Sequence, residues 1–280
     1  LGDEEVSGVT TAFVLGGGGV LGAHEVGMLR ALDEAQIRPE LVVGTSVGAI
    51  NGAFVAADPD TAADRLGQLW AGAHLQRAFS GTLLGRATRL ARSGTHLHEI
   101  EPLLQMLDDE LPAKDFSDLR LPFSCVAASI EHATAHWFTS GPLAPAVLAS
   151  CAVPGLLPPV EINGEHFFDG GLVDSIPVGR AMKLGADTVY VLQVGRIERA
   201  LAPPRRLWEV GLVSFEIARR HRFHEEMANL PGEVTVHVLP SGATQKPPDL
   251  SQLRYRNKTD VNANIERAYV ASQKYLAAQI

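Results

Sequence analysis

Twice in its first sixty residues the chain runs a short apolar stretch into glycine and then into a helical pattern, and few folds accept that. TTAFVLGGGG (10–19) leads into VLGAHEVGMLRALDEAQ (20–36), where Leu21, Met28, Leu29 and Leu32 fall near helical spacing. ELVV (40–43) then passes through GTSVG into a helix over about 47–57. Apolar strands alternating with helices call for a parallel sheet whose two faces are both covered. The expected fold class is therefore α/β, with three layers, α/β/α, around a mainly parallel central sheet.

The rest of the chain continues the alternation. Residues 60–108 carry helical periodicity (Leu66, Leu69, Trp70, then Leu103, Leu104, Leu107) broken by FSGTLLG and RSGTH, which predicts a helical insertion. LPAKDFSDLRLP (111–122) reads as a linker into the strand FSCVAASI, paired with AHWFT (135–139). APAVLASCA is a short helix before Pro154. VEINGEHFFDGG (160–171) is a hairpin, because Asn-Gly supplies the two positive-φ positions of a type I′ turn. DSIPVGRAMKLGAD (174–187) fits a helix with Pro177 in its first turn and Gly185 at its end, TVYVLQV and VTVHVLP are strands, and 259–279 is a closing helix. At 280 residues and 46% hydrophobic, this reads as a single domain, with a core at 10–195 and a C-terminal strand and helices at 196–280.

Charge and cysteine content narrow the partners. A net charge of −8 repels polyanions, so nucleic acid is not an expected partner. Cys125 and Cys151 sit in apolar segments without metal-ligand spacing, as thiols do in a reducing compartment, and the scattered His24, His132, His136 and His166 suggest no metal site. The best candidate for a membrane span, 41–57, has 17 residues and includes Thr45, Ser46, Asn51 and three glycines, too short and too polar to cross a bilayer. The opening LGDEEVSG is acidic and unlike a signal peptide. These features lead us to expect a cytoplasmic protein. Residues 205–223, apolar near helical spacing with arginines at both ends, offer a segment for transient contact with a membrane surface, although packing on the protein's own sheet is the preferred reading.

Three motifs carry chemistry. In GTSVG, Ser46 stands where a strand turns sharply into a helix, with Gly44 and Gly48 leaving room for the turn, the arrangement of a nucleophile elbow. By itself the motif is common and has a purely steric explanation. A serine needs a base, and the late histidines His221, His224 and His237 lie on a charged helix or inside a strand, which disfavours a histidine triad. Asp169 follows the hairpin's second strand and precedes Gly170 and Gly171. A carboxylate is a weaker base than imidazole by about 2.6 pK units, roughly 3.5 kcal/mol, so this aspartate must be close and desolvated, with Phe167 and Phe168 as suitable neighbours. The third motif, GGGGVLG, sets backbone N–H groups at a helix start, where they would stabilise an oxyanion. It also satisfies a dinucleotide-binding loop, G-x-G-x-x-G, but GTSVG stands where that loop's acidic ribose ligand is expected.

In order and spacing these motifs resemble the patatin-like phospholipase family: a glycine-rich loop, G-x-S-x-G on the second strand, and D-G-[GA] far downstream. SCAVPGLLPPVEINGEHFFDGGLVDSIPVGRAMKLGAD (150–187) is similar to that family throughout, and the likeness covers most of 10–195. The resemblance implies a patatin-like fold with Ser46 as nucleophile and Asp169 as base. It implies an oxyanion hole in the loop of Gly17, Gly18, Gly19, Val20 and Gly22, with Gly44, Gly48, Gly170 and Gly171 as supports. It further implies no metal and no cofactor, and a phospholipid, lysophospholipid or related acyl ester as substrate. Family members usually carry Arg or Lys in the loop, as G-G-G-x-[RK]-G, where this chain has Leu21. That departure keeps open a catalytically weak, lipid-binding or regulatory alternative, and beside it the less favoured nucleotide-binding protein.

Overall fold

The computed structural model describes residues 10–72, 96, 98–194, 201–204, 207–230, 232–242 and 258–279. In these, β1 (Thr11–Leu15), α1 (Ala23–Glu34), β2 (Leu41–Thr45), α2 (Val47–Ala57) and α3 (Ala62–Ala71) come first. They are followed by α4 (Glu101–Glu110), β3 (Phe123–Ser129), β4 (Thr134–Phe138), α5 (Leu143–Ser150), β5 (Val160–Ile162) and β6 (Glu165–Asp169). The chain then forms α6 (Val178–Lys183), β7 (Thr188–Leu192), α7 (Leu207–Ala228), β8 (Thr235–Leu239) and α8 (Lys258–Ala277). The middle of the helical insertion, including FSGTLLG and most of RSGTH, lies outside the described residues.

One eight-stranded sheet joins these strands in the order β5-β6-β3-β2-β1-β7-β8, with β4 also on β3. The run β3-β2-β1-β7-β8 is parallel, and the pairings of β3 with β4, β3 with β6 and β5 with β6 are antiparallel. The fold is therefore α/β with a mixed, mostly parallel central sheet, as the sequence predicts. Its layers follow from the two-residue period of a strand. Phe13, Leu15 and Val42 face one core with Val26, Ile50, Phe54, Leu66, Trp70, Leu107, Val147 and Ile265 from helices α1–α5 and α8. Their neighbours Ala12, Val14, Leu41 and Val43 face the other, with Val178 and Ala181 of α6 and Phe223 of α7. Because successive side chains leave opposite faces, each apolar strand needs both helical layers.

Two boundaries differ from expectation. The helix predicted from Val20 opens with a 3-10 turn over Gly19–Gly22, and α1 begins at Ala23. The helix predicted over 174–187 is reduced to Val178–Lys183, because Asp174 to Ile176 are committed elsewhere: the Asp174 N–H bonds the Gly170 carbonyl, and the Ser175 carbonyl accepts from Gly17. The Asn163-Gly164 turn has φ of 53° and 83°, as the hairpin requires. Both cysteines are buried, and Phe223 on the long helix packs against the sheet.

Candidate active site

The sheet brings two distant parts of the chain onto one strand. β4 lies along one edge of β3 at Cys125 to Ser129. On the opposite edge β2 arrives in parallel, its Thr45 beside Val126, while β6 arrives antiparallel, its Asp169 beside Ala127. The two strands thus meet end to end. Ser46, the residue after β2, and Asp169, the last of β6, face each other across that junction, and Ser46 Oγ donates a 2.6 Å hydrogen bond to Asp169 Oδ2.

Ser46 has φ 55° and ψ −126°, a backbone conformation that side chains of L-residues rarely adopt. Its surroundings enforce it. The Ser46 N–H donates to Ser150 Oγ at 2.9 Å, and Thr45 Oγ1 donates to the Asp174 carbonyl at 2.8 Å. Gly44 is paired on both sides, with Leu15 and Cys125. Gly48 lies so close to β1 that a Cβ there would sit 2.2 Å from the Leu15 carbonyl oxygen. Ser46 caps α2, so the positive end of that helix points at the hydroxyl and favours negative charge beside it.

Asp169 is 2% exposed. Its Oδ1 accepts from the Gly171 N–H at 2.7 Å, and its own N–H bonds the Ala152 carbonyl at 2.9 Å. Burial pushes its pKa up to about 6, against the opposing pull of the hydrogen bonds from Ser46 and Gly171. The expected neighbour Phe167 is buried on the same face of β6, whereas Phe168 points to the other. Gly170 follows with no space to spare, since a Cβ would lie 2.1 Å from the Val126 carbonyl oxygen. Gly170→Ala is expected to lower the melting temperature by roughly 5–10 °C in thermal denaturation, because the obstructing atom is backbone of β3, a strand buried along its length.

The glycine loop runs alongside. A Cβ on Gly17 would be 3.4 Å from Ser46 Cβ, but the Gly17 N–H is already donated to the Ser175 carbonyl at 3.0 Å. The Leu21 N–H is donated to the Gly18 carbonyl. The amides of Gly18 and Gly19, at the opening of the 3-10 turn, take no partner among the described residues. The Gly22 carbonyl accepts from Asn51 Nδ2 at 3.0 Å.

Asn51, one helical turn after Val47, fits the sequence equally as a buttress of the elbow or as a partly exposed helix residue, and Glu25 and Ser150 carry no functional signal in it. The structure buries all three completely. Asn51 could have been suspected from its place one turn beyond the elbow, but Glu25 reads as an ordinary acidic residue in a helix's first turn. Among the described residues no group of three or more His, Cys, Asp or Glu side chains is placed to hold a metal.

Sequence comparison bears on the same segment. The profile of "Patatin-like phospholipase" matches residues 13–182, more than half the chain. Lysophospholipase NTE1 of Phaeosphaeria nodorum is 32% identical over 204 residues, covering 70% of this chain and 13% of that protein. Lysophospholipase nte1 of Aspergillus terreus matches at the same identity, covering 70% of this chain and 12% of that one. The chain thus spans about an eighth of the length of these curated relatives. Of solved structures, VipD from Legionella pneumophila aligns with a TM-score of 0.49 and 15% identity, over 96% of this chain and 67% of that one. The type III effector ExoU aligns at 0.47 and 16%, over 97% and 53%. The matched profile spans the glycine loop, the serine elbow and the Asp-Gly-Gly turn together, and on that match the chain belongs to the patatin-like phospholipase family.

Proposed function

We propose that this protein hydrolyses acyl esters of phospholipids or lysophospholipids through a covalent acyl-enzyme on Ser46. The carrying observation is the 2.6 Å hydrogen bond from Ser46 Oγ to Asp169 Oδ2 at a strained strand–helix turn. Ser46 Oγ attacks the ester carbonyl carbon as its proton passes to Asp169. The tetrahedral oxyanion rests against the amides of Gly18 and Gly19, with the start of α2 behind it. Collapse breaks the bond to the alcohol, which leaves with the proton from Asp169. Water then attacks the acyl-enzyme, gives its proton to Asp169, and releases the fatty acid as Ser46 recovers its own.

An aspartate serves as base here because burial brings its proton affinity toward neutrality while leaving it ionised at pH 7 and above. The names of the relatives favour lysophospholipids as first substrates. Fatty-acid release from lysophosphatidylcholine micelles tests the reading, with phosphatidylcholine vesicles and a water-soluble ester alongside. Folded protein that releases nothing from any of them would leave the lipid-holding alternative that Leu21 suggests.

Contact with the lipid surface is part of the proposal. β7 and β8 are parallel, so α7 between them descends from the sheet's C-terminal edge, the edge that carries Ser46. Its 22 residues span about 33 Å against about 17 Å for a five-residue strand. With Phe223 packed on the sheet, its N-terminal half extends past that edge, and there Val210 and Ile217 are 47% and 56% exposed. Leu172, just after the Asp-Gly-Gly turn that α7 touches, is exposed as well. No helix of the described residues is long and apolar enough to cross a membrane. Ile217→Asp is expected to reduce co-sedimentation with phosphatidylcholine vesicles about tenfold while hydrolysis of a soluble ester changes little.

A further inference from the structure

Behind the glycine loop lies a buried chain of polar groups that no step above uses. Trp70 Nε1 on α3 donates to Asn51 Oδ1 on α2 at 3.0 Å. Asn51 Nδ2 donates in turn to the Gly22 carbonyl at 3.0 Å and to Glu25 Oε2 on α1 at 2.7 Å. An indole nitrogen is only a donor, so the Asn51 atom facing it is the carbonyl oxygen, and both amide hydrogens point at the loop end and at Glu25. One asparagine thus ties the elbow helix to the loop's last residue, to α1 and to α3. Glu25 and Asn51 are fully buried and Trp70 nearly so.

Burial disfavours the charged form of Glu25. Its Oε1 has no hydrogen-bond partner among the described residues. Burial raises its pKa well above the ordinary range, and contacts with Asn51 and the Gly16 backbone offset only part of that. Neutrality also suits the site, because a carboxylate just behind the loop would oppose the negative charge that develops on the substrate's carbonyl oxygen.

We propose that Glu25 is a positioning residue: through Asn51 and Trp70 it clamps the end of the glycine loop, so that the amides of Gly18 and Gly19, unpartnered among the described residues, keep a fixed place beside Ser46. This rests on the hydrolase reading for its catalytic consequence, but the clamp itself is a statement about the loop. The structural basis is that the loop is otherwise fixed chiefly at its start. Gly16 N–H bonds the Leu192 carbonyl and Gly17 N–H bonds the Ser175 carbonyl. At the far end, the hydrogen bond from Asn51 to the Gly22 carbonyl ties the loop to α2, and Asn51 has its orientation set by Trp70 and Glu25.

The test compares wild type with Glu25→Gln, Glu25→Ala and Trp70→Phe by two readouts. The first is amide hydrogen exchange over residues 16–22; the second is hydrolysis of p-nitrophenyl butyrate per site titrated with a fluorophosphonate. Glu25→Ala should speed exchange over 16–22 about tenfold and lower kcat roughly 10–100-fold with KM within about twofold, since misplaced donors weaken the transition state rather than ground-state binding. Glu25→Gln keeps an oxygen for Asn51 and stays neutral, so both readouts should remain within about threefold of wild type. Trp70→Phe removes only the indole donor and should fall between them, which keeps the proposal open to refutation if Glu25→Ala does not fold. Unchanged exchange and unchanged kcat in Glu25→Ala or Trp70→Phe overturn the proposal, as does a Glu25→Gln variant that loses as much as Glu25→Ala. Failure of the hydrolase reading looks different: fluorophosphonate labelling is absent from wild type, or survives Ser46→Ala. The exchange data then still decide the clamp.

Discussion

Replacing Ser46 with alanine is expected to lower kcat/KM for acyl-ester hydrolysis by at least ~10⁴-fold and to abolish labelling by a fluorophosphonate, with the fold retained. The size follows from the mechanism, because without the hydroxyl no acyl-enzyme forms and only loop amides and binding contacts remain to act on attacking water. A second substitution separates the chemistry from the backbone that presents it. Ser46 sits at φ 55°, where glycine is at ease and a Cβ is not. Ser46→Gly should be as inactive as Ser46→Ala but more stable than it by about 1 kcal/mol, read as a higher midpoint in denaturant. Full labelling of Ser46→Ala would move the nucleophile to another residue.

Asp169→Asn carries the second large effect, and it cuts two ways. Asparagine can keep hydrogen bonds to Gly171 and Ser46 but cannot accept the serine proton, so kcat should fall by roughly 10³–10⁴-fold. Stability should move in the opposite direction. The folded pKa of about 6 stands above the ordinary 3.8, so the folded state holds this proton more tightly than the unfolded chain. In the wild type that contribution is fully present below pH 3.8 and is lost as pH rises through about 6, and the loss is about 3 kcal/mol. The substituted amide does not ionise, so the variant's advantage in denaturant unfolding should grow between pH 4 and pH 7 and then level off. On the proposed mechanism wild-type kcat/KM should rise with pH around an apparent pKa near 6. An acidic limb with a midpoint near 4 would show that the aspartate is not desolvated in solution.

What could be read in the sequence was whatever leaves a local trace. The elbow needs Gly48 because β1 lies against it, and the Asp-Gly-Gly turn needs Gly170 because Val126 does, so packing demands appear as glycines beside Ser46 and Asp169. The Asn163-Gly164 turn and the two apolar βα units are likewise written in consecutive residues. Other features depend on meetings that no window of sequence contains. The Gly17 amide looks free until the Ser175 carbonyl arrives from 158 residues away, and that same engagement holds 174–176 out of the predicted helix. Glu25 looks solvated until α2 and α3 close over it, and Ser150 is one more small residue in an apolar helix until it receives the Ser46 N–H at 2.9 Å.

The end-to-end meeting of β2 and β6 on one edge of β3 makes that strand a ruler. Thr45 and Asp169 register on Val126 and Ala127, so the gap between hydroxyl and carboxylate is metered by a single residue step, about 3.3 Å, of a strand buried at every position. Sequence inserted between α2 and β3 leaves that register alone, whereas the stretch between β4 and β5 is bound to it through Ser150, which accepts the Ser46 N–H, and Ala152, which accepts the Asp169 N–H. Evolution is therefore free to remodel the segment between α2 and β3 while the separation of Ser46 and Asp169 stays constant.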